Sequence, residues 1–363
     1  MKGRILIVGS GKMARNVGLF LAGRGYATSW VSRDAARLGA LESWARKRLR
    51  RFTPLGSGPE AATFHRAGDS GLPAADVVIE AVDEQAASKR QALAALPAAL
   101  RAEALLVSLS SSILPGEIDA ACAGLHVFYP VELTRLVELI VPAGYPAERH
   151  QRLRALADDL GLDAVEQDER SAFAVNQLLL PLQAECLRAL ADGCSPAELD
   201  QDTISALLPV GQLTLLDAVG LDVVLPAVRN YLGRMPAEQA SDLMPLVTGL
   251  AELVELGKRG SKNGDGLCAG KALPWPVVPG RRLGPELGRR LFLNGCARAL
   301  DRGMLDRGAL DRALAAVFGA SNGFAQALAA EDPAALRATL DALFIRTGRW
   351  YFSPADSLGQ DRA

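Results

Sequence analysis

Histidine and cysteine are scarce in this chain. Only three histidines, His65, His126 and His150, occur in 363 residues. The five cysteines, Cys122, Cys186, Cys194, Cys268 and Cys296, form no CxxC pair. Neither set has the spacing of a zinc site, so no metal is expected. An odd, scattered set of thiols reads as reduced cysteine in a cytoplasmic protein. Charge of one sign is not in excess either: 40 Lys and Arg stand against 41 Asp and Glu, a net charge of −1. That argues against nucleic acid or an anionic membrane as partner. No apolar run reaches the roughly 20 residues needed to span a bilayer. No basic-then-apolar segment with a cleavage site precedes the first strand, so export is not expected. What remains is a soluble globular chain, 49% hydrophobic, long enough for two or three domains.

The amino-terminal third carries the clearest pattern. Arg4-Ile5-Leu6-Ile7-Val8 is a β-branched, apolar run, as expected of a strand buried on both faces. It flows into Gly9-Ser10-Gly11-Lys12-Met13-Ala14 and then into a helical pattern through Val17, Leu19, Phe20 and Leu21. Strand, glycine turn and helix in that order predict a Rossmann-type dinucleotide-binding domain. Gly9 permits the tight turn. Gly11 lets a pyrophosphate approach the backbone at the helix N-terminus. Ala14 stands where a third small residue is needed against the strand.

The next predicted strand is Thr28-Ser29-Trp30-Val31. At its end an NAD site normally offers an acid to the ribose hydroxyls. Here stand Ser32 and Arg33, a hydroxyl and a guanidinium that suit a 2′-phosphate. The cofactor is therefore expected to be NADP, with NAD as the alternative if Asp34 fills the acidic role. Residues 35 to 70 read as a basic helix, centred on Trp44 to Arg51, and a polar connection. Asp76 to Val82 is a strand followed by Asp83-Glu84 and Lys89. Leu105 to Ser108 is another, followed by Ser110-Ser111-Ser112, whose hydroxyls could cap a helix or bond a substrate oxygen.

Gly124-Leu125-His126-Val127-Phe128-Tyr129-Pro130 is followed by Arg135-Leu136-Val137-Glu138-Leu139-Ile140. A neutral imidazole takes a proton from an alcohol near pH 7, and a carboxylate at its other nitrogen fixes the tautomer. Two short strands joined by a loop could set His126 and Glu138 side by side. On spacing alone, a core histidine and a surface glutamate is the rival reading.

Taken together these residues resemble the 3-hydroxyacyl-CoA dehydrogenases, including the dehydrogenase part of the multifunctional fatty-acid oxidation enzymes. The family pattern has a G-x-G-x-M-G turn, V-E-A-x-x-E with a lysine five residues on, S-N-T-S-S, G-L-H-F-F-N-P with a glutamate twelve after the histidine, and F-x-V-N-R. Here these stand as Gly9 to Ala14, Ile79 to Glu84 with Lys89, Ser108 to Ser112, Gly124 to Pro130 with Glu138, and Phe173-Ala174-Val175-Asn176-Gln177. The resemblance implies that His126 is the general base or acid and that Glu138 orients it. It implies that Ser111 and Asn176 hydrogen-bond the reacting oxygen and the histidine surroundings. The cofactor turn is Gly9, Gly11, Lys12, Met13 and Ala14, with Ser32 and Arg33 at the ribose and Glu84 and Lys89 along the cofactor and substrate cleft. Leu109 and Tyr129 replace asparagines of the pattern, and Ser171-Ala172-Phe173 replaces Pro-Gly-Phe.

From Asn176 the pattern turns helical, with Ser195-Pro196-Ala197-Glu198 as a helix start. A proline-rich join runs from Ala272 to Gly280. Cys186 to Gly193 is echoed by Cys296 to Gly303, offset by 110 residues, with Asp200 and Asp311 following. The expected organisation is a Rossmann NADP-binding domain over 1–175, then all-α C-terminal domains over 176–275 and 276–363. Their expected form is duplicated and helical, of the 6-phosphogluconate-dehydrogenase-like type that the resemblance implies. The function implied is an NADP-linked 3-hydroxyacyl thioester dehydrogenase or 3-ketoacyl thioester reductase, its substrate carried on CoA or acyl carrier protein. The alternative is a reductase of another carbonyl or imine, a hydroxy acid or biosynthetic intermediate, on the same scaffold. Two helical copies in one chain could satisfy each other's apolar surface, so monomer and homodimer are both expected states.

Overall fold

The computed structural model describes residues 2–69, 71–204, 207–320 and 322–359; the outer limits of the expected domains, at 1 and 363, lie outside these. The chain forms two compact units, Met1–Phe173 and Ala174–Ala363.

The first unit is built on one eight-stranded sheet in the order β3-β2-β1-β4-β5-β6-β7-β8. Its strands are β1 (Arg4–Val8), β2 (Ala27–Ser32), β3 (Thr63–Arg66), β4 (Val77–Glu80), β5 (Leu105–Ser108), β6 (Cys122–Val127), β7 (Leu136–Val141) and β8 (Asp163–Asp168). The first six are parallel. β7 runs antiparallel to β6, and β8 parallel to β7. The chain winds outward from β1 in both directions, so the strand order reverses between β1 and β4. In such sheets a ligand crevice opens there, beyond the carboxyl ends of the strands.

Seven helices cover the two faces: α1 (Lys12–Gly23), α2 (Ala35–Leu49), α3 (Ala86–Ala94), α4 (Ala98–Glu103), α5 (Pro115–Ile118), α6 (Val131–Thr134) and α7 (Ala147–Leu160). Alternate strand residues feed the two cores. Ile5, Ile7, Ile79, Val107, Leu125, Val137 and Leu139 pack with Val17 and Leu21 of α1, Leu41 of α2 and Leu153 of α7. Leu6, Val8, Val78, Leu106 and Cys122 pack on the other face with Leu93 of α3, Leu100 of α4 and Ile118 of α5. Burial on both faces explains why these strands read as continuous apolar runs.

Two strands escape the sequence pattern. The expected polar connection after the basic helix contains β3, and β8 was not foreseen at all. Both are edge strands. β3 has only four residues, none fully buried, and in β8 only Val165 and Gln167 are buried. β3 leaves all four residues at least partly open to solvent and β8 exposes three of its six, so the apolar signal of each is short.

The second unit is helical. It comprises α8 (Ala174–Gln177), α9 (Leu180–Ala191), α10 (Pro196–Thr203), α11 (Gln212–Val219), α12 (Leu221–Arg234), α13 (Ala237–Glu255), α14 (Pro285–Asp301), α15 (Arg307–Phe318), α16 (Gly323–Ala329) and α17 (Pro333–Thr347). Ser195 caps α10 as expected, accepting from the Glu198 N–H while its hydroxyl donates to the Glu198 carboxylate. Corresponding contacts recur along the unit. The Cys194 N–H bonds to the Ala189 carbonyl, and the Met304 N–H to that of Ala299. Asp200 in α10 accepts from the Leu213 N–H, 13 residues on, and Asp311 in α15 from the Phe324 N–H, also 13 residues on. The closing Arg349-Trp350-Tyr351 segment ties back to buried Glu185 on α9 through the Arg349 guanidinium and the Tyr351 hydroxyl. Among the described residues no helix is long and apolar enough to cross a membrane.

Candidate functional site

The glycine turn leaves β1 at Gly9, whose φ is +140°. A Cβ there would lie 2.3 Å from the Ala81 carbonyl oxygen, so the crossing with the end of β4 requires glycine. Gly11 is different. A Cβ on Gly11 meets no atom within 4 Å, so nothing in the protein demands glycine there. α1 begins at the next residue with no side-chain cap and no acid in its first turn. Its free N–H groups and its dipole face open space that suits a diphosphate. Ala14 is fully buried, and Lys12 lies over the Tyr129 ring at 3.9 Å.

At the end of β2, Ser32 is buried and Arg33 exposed. Asp34 caps α2: its Oδ1 accepts the N–H groups of Ala36 at 2.9 Å and Arg37 at 3.1 Å. Arg33 makes only long contacts, 3.5 Å to Asp83 and 3.4 Å to Gln91.

Beyond β4 lies a buried ionic cluster. The Lys89 ammonium is held by Glu80 at 2.9 Å and by Glu84 at 3.4 Å, and its side chain is only 1% exposed. Lys89 was expected along the cleft; it is enclosed behind Glu84, the one member of the three with an edge to solvent. Burial lowers the Lys89 pKa, but the two carboxylates outweigh it and hold the ammonium above its ordinary value. Burial likewise opposes ionisation of Glu84, yet the Lys89 charge and hydrogen bonds from Ser110, Ser112 and the Ser111 N–H keep its carboxyl below the usual range. The three serines do not cap a helix. All three hydroxyls donate to the same Glu84 oxygen, at 2.7, 3.2 and 2.7 Å. Helix α5 starts farther on, with Leu114 at its cap position.

β6 and β7 bring His126 and Glu138 together. The antiparallel register sets them directly opposite each other, and directly opposed residues share a face. His126 Nδ1 lies 2.6 Å from Glu138 Oε2, the histidine side chain 5% exposed and the glutamate fully buried. Phe128 and Phe173 flank the imidazole, with ring centroids at 4.6 and 5.5 Å. No described residue hydrogen-bonds Nε2. A carboxylate accepts only, so Nδ1 carries a proton and Nε2 is the nitrogen left for chemistry.

Asn176 belongs to the second unit, in α8, where its Nδ2 donates to the Tyr231 hydroxyl at 3.1 Å. Two partners of these residues, Tyr231 to Asn176 and Gln167 to Glu138, are not marked by the sequence pattern. Tyr231 sits on a helix whose apolar stripe hides it. Gln167 Nε2 donates to Glu138 Oε1 at 2.7 Å; its signal was a polar residue at a buried position of an alternating strand. Among the described residues no group of His, Cys, Asp or Glu could hold a metal ion.

The sheet order and the open turn define the class: an α/β dinucleotide-binding domain of the kind that nicotinamide-dependent oxidoreductases use. Residues 4–170 match the family model "3-hydroxyacyl-CoA dehydrogenase, NAD binding domain", and residues 173–269 match "3-hydroxyacyl-CoA dehydrogenase, C-terminal domain". The chain belongs to the 3-hydroxyacyl-CoA dehydrogenase family, oxidoreductases acting on CH–OH groups. The alpha subunit of the fatty acid oxidation complex of Shewanella oneidensis is 30% identical over 275 residues, 69% of this chain but only 38% of that subunit. The (S)-3-hydroxybutyryl-CoA dehydrogenase of Ralstonia eutropha is 25% identical, with a TM-score of 0.59 over 74% of this chain and 99% of its own. The 3-hydroxybutyryl-CoA dehydrogenase of Escherichia coli shares the fold over 98% of this chain and 97% of its own, with a TM-score of 0.75 and 19% identity.

Proposed function

We propose that this chain is an NADP-linked 3-hydroxyacyl thioester dehydrogenase that works chiefly as a 3-ketoacyl thioester reductase. The observation that carries this reading is the buried 2.6 Å contact between His126 and Glu138, within the 3-hydroxyacyl-CoA dehydrogenase family. The bound dinucleotide would supply or accept the hydride at C3. His126 donates its Nε2 proton to the ketone oxygen as the new C–H bond forms, and takes that proton back in the oxidative direction. Glu138 holds the Nδ1–H tautomer and balances the imidazolium. The resemblance assigns Ser111 and Asn176 as hydrogen-bond donors; the single Ser111 hydroxyl proton is held by Glu84 and would have to turn from it to reach the ketone oxygen, whose developing negative charge such dipoles would meet. Glu84 fixes the Ser110–Ser112 turn, and Lys89 keeps Glu84 ionised.

For the cofactor, the turn Gly9, Gly11, Lys12, Met13 and Ala14 would hold the diphosphate. Arg33 and Ser32 would take the 2′-phosphate of NADP; the engagement of Asp34 in capping α2 supports this, because no other acid follows β2 directly. The acyl carrier is CoA or acyl carrier protein. Five free cysteines fit a reducing, cytoplasmic setting. The matching contacts of Asp200 and Asp311 support a duplicated helical domain, in a chain that is a monomer or a homodimer.

The test is NADPH and NADH consumption with acetoacetyl-CoA and with small keto acids. We expect faster turnover of acetoacetyl-CoA with NADPH. Turnover confined to small keto acids would overturn the substrate reading, and a preference for NADH the cofactor reading. The exposed Tyr129, with Lys12 over its ring, favours a second reading: a reductase of a different carbonyl or imine, which the keto-acid arm addresses.

A further inference from the structure

Gln167 closes a circuit behind the histidine–glutamate pair. It lies on β8 two residues past Val165, which is registered opposite Glu138, so its side chain reaches the carboxylate diagonally on the same face. Its Nε2 donates at 2.7 Å to Glu138 Oε1, the oxygen that does not face His126. Its Oε1 accepts the Phe173 N–H at 2.8 Å. A backbone N–H can only donate, so the amide has one workable orientation: oxygen to Phe173, NH2 to the carboxylate. Phe173 in turn sets its ring edge-on to the imidazole at 77°. Its φ is +60°, a conformation that a bulky residue holds only where its surroundings enforce it. Gln167, Glu138 and Phe173 are all buried.

We propose that Gln167 is a positioning residue for the acid–base pair, acting through both ends of its amide. The donor end holds the Glu138 carboxylate aimed at Nδ1. The acceptor end fixes Phe173, which packs on the imidazole and is the last residue of the first unit, three before Asn176. The proposal rests on the reading of His126 and Glu138 as the acid–base pair. Its consequence is specific. A neutral carboxyl at position 167 could still donate to Glu138 and accept from Phe173; an ionised one would oppose Glu138 with a like charge. The ionisable group bonded to the Gln167 amide is Glu138, with His126 beyond it, and His150, Glu169 and Arg170 line a cavity together with Gln167. Glu166, paired with His150 and Arg154, and Asp168 alternate to the exposed side.

The experiment is the pH profile of kcat/KM for wild type, Gln167→Glu, Gln167→Leu and His126→Gln, with folding followed by circular dichroism at each pH. We expect Gln167→Glu to approach wild type at the acid end and to fall at least about tenfold below it as pH rises, the scale of one hydrogen bond to a charged group. Gln167→Leu should lack that recovery, and the KM for the cofactor should not change in either variant. A constant ratio of Gln167→Glu to wild type across pH, in folded protein, would overturn the proposal. Wild-type turnover by His126→Gln would instead remove the acid–base reading beneath it, so the two failures are distinguishable.

Discussion

A single residue can be costly to bury unless its partners come with it, and the cluster around Lys89 meets that condition. Lys89 and Glu80 are enclosed together, and Ser108 and the Val82 N–H complete the Glu80 carboxylate. Removing the cation leaves a buried charge without a counterion. Lys89→Met should therefore lower stability by about 3–5 kcal/mol, read as a fall in Tm. The pH dependence has a definite sign. The folded-state pKa of Glu84 lies below its unfolded value, so its contribution is present above about pH 4.3 and is lost as pH falls through the lowered pKa. Glu84→Gln should flatten the acid limb of a stability curve; an unchanged limb would count against the cluster. Arg33 gives the cofactor prediction. Arg33→Ala should raise the KM for NADPH at least about tenfold, as loss of a charge-assisted contact would, and leave that for NADH nearly unchanged.

Among the elements, the glycine turn separates structure from ligand binding. Gly9→Ala would drive a Cβ into the Ala81 carbonyl and should lower Tm. Gly11→Ala meets open space and should leave Tm unaltered while weakening dinucleotide binding, measured by fluorescence titration. Loss of stability in both variants would mean that the space beside Gly11 has no ligand role. This element was legible from sequence because a fully buried strand and a glycine turn leave unambiguous residue patterns. The opposition of His126 and Glu138 was legible only as a possibility, since register depends on a loop whose geometry spacing does not reveal. β3, β8 and Gln167 were not legible: an edge strand has one buried face and few residues to mark it. The serines are a different case. A hydroxyl before a helix resembles a cap; here the Ser110 oxygen accepts the N–H groups of Ser112 and Ile113, while all three hydroxyl protons turn to Glu84, whose position only the tertiary fold reveals.

At the scale of the whole molecule, the chain joins a dinucleotide-binding unit to a helical unit in which one arrangement recurs. If the recurrence is a true duplication, Asp200→Ala and Asp311→Ala should both destabilise, by about 0.5–2 kcal/mol each on the scale of helix caps, with the larger loss at Asp200, which also bonds Thr214. Neutral behaviour at Asp311 would argue against equivalence. In the proposed function the buried imidazole of this fold moves the proton that accompanies hydride transfer. Its most direct test is the reduction of acetoacetyl-CoA with NADPH by wild type and by His126→Gln. We expect measurable turnover by the wild type and a fall in kcat of about 100-fold or more in the variant, with NADPH binding retained. Equal kcat in the two proteins would contradict it.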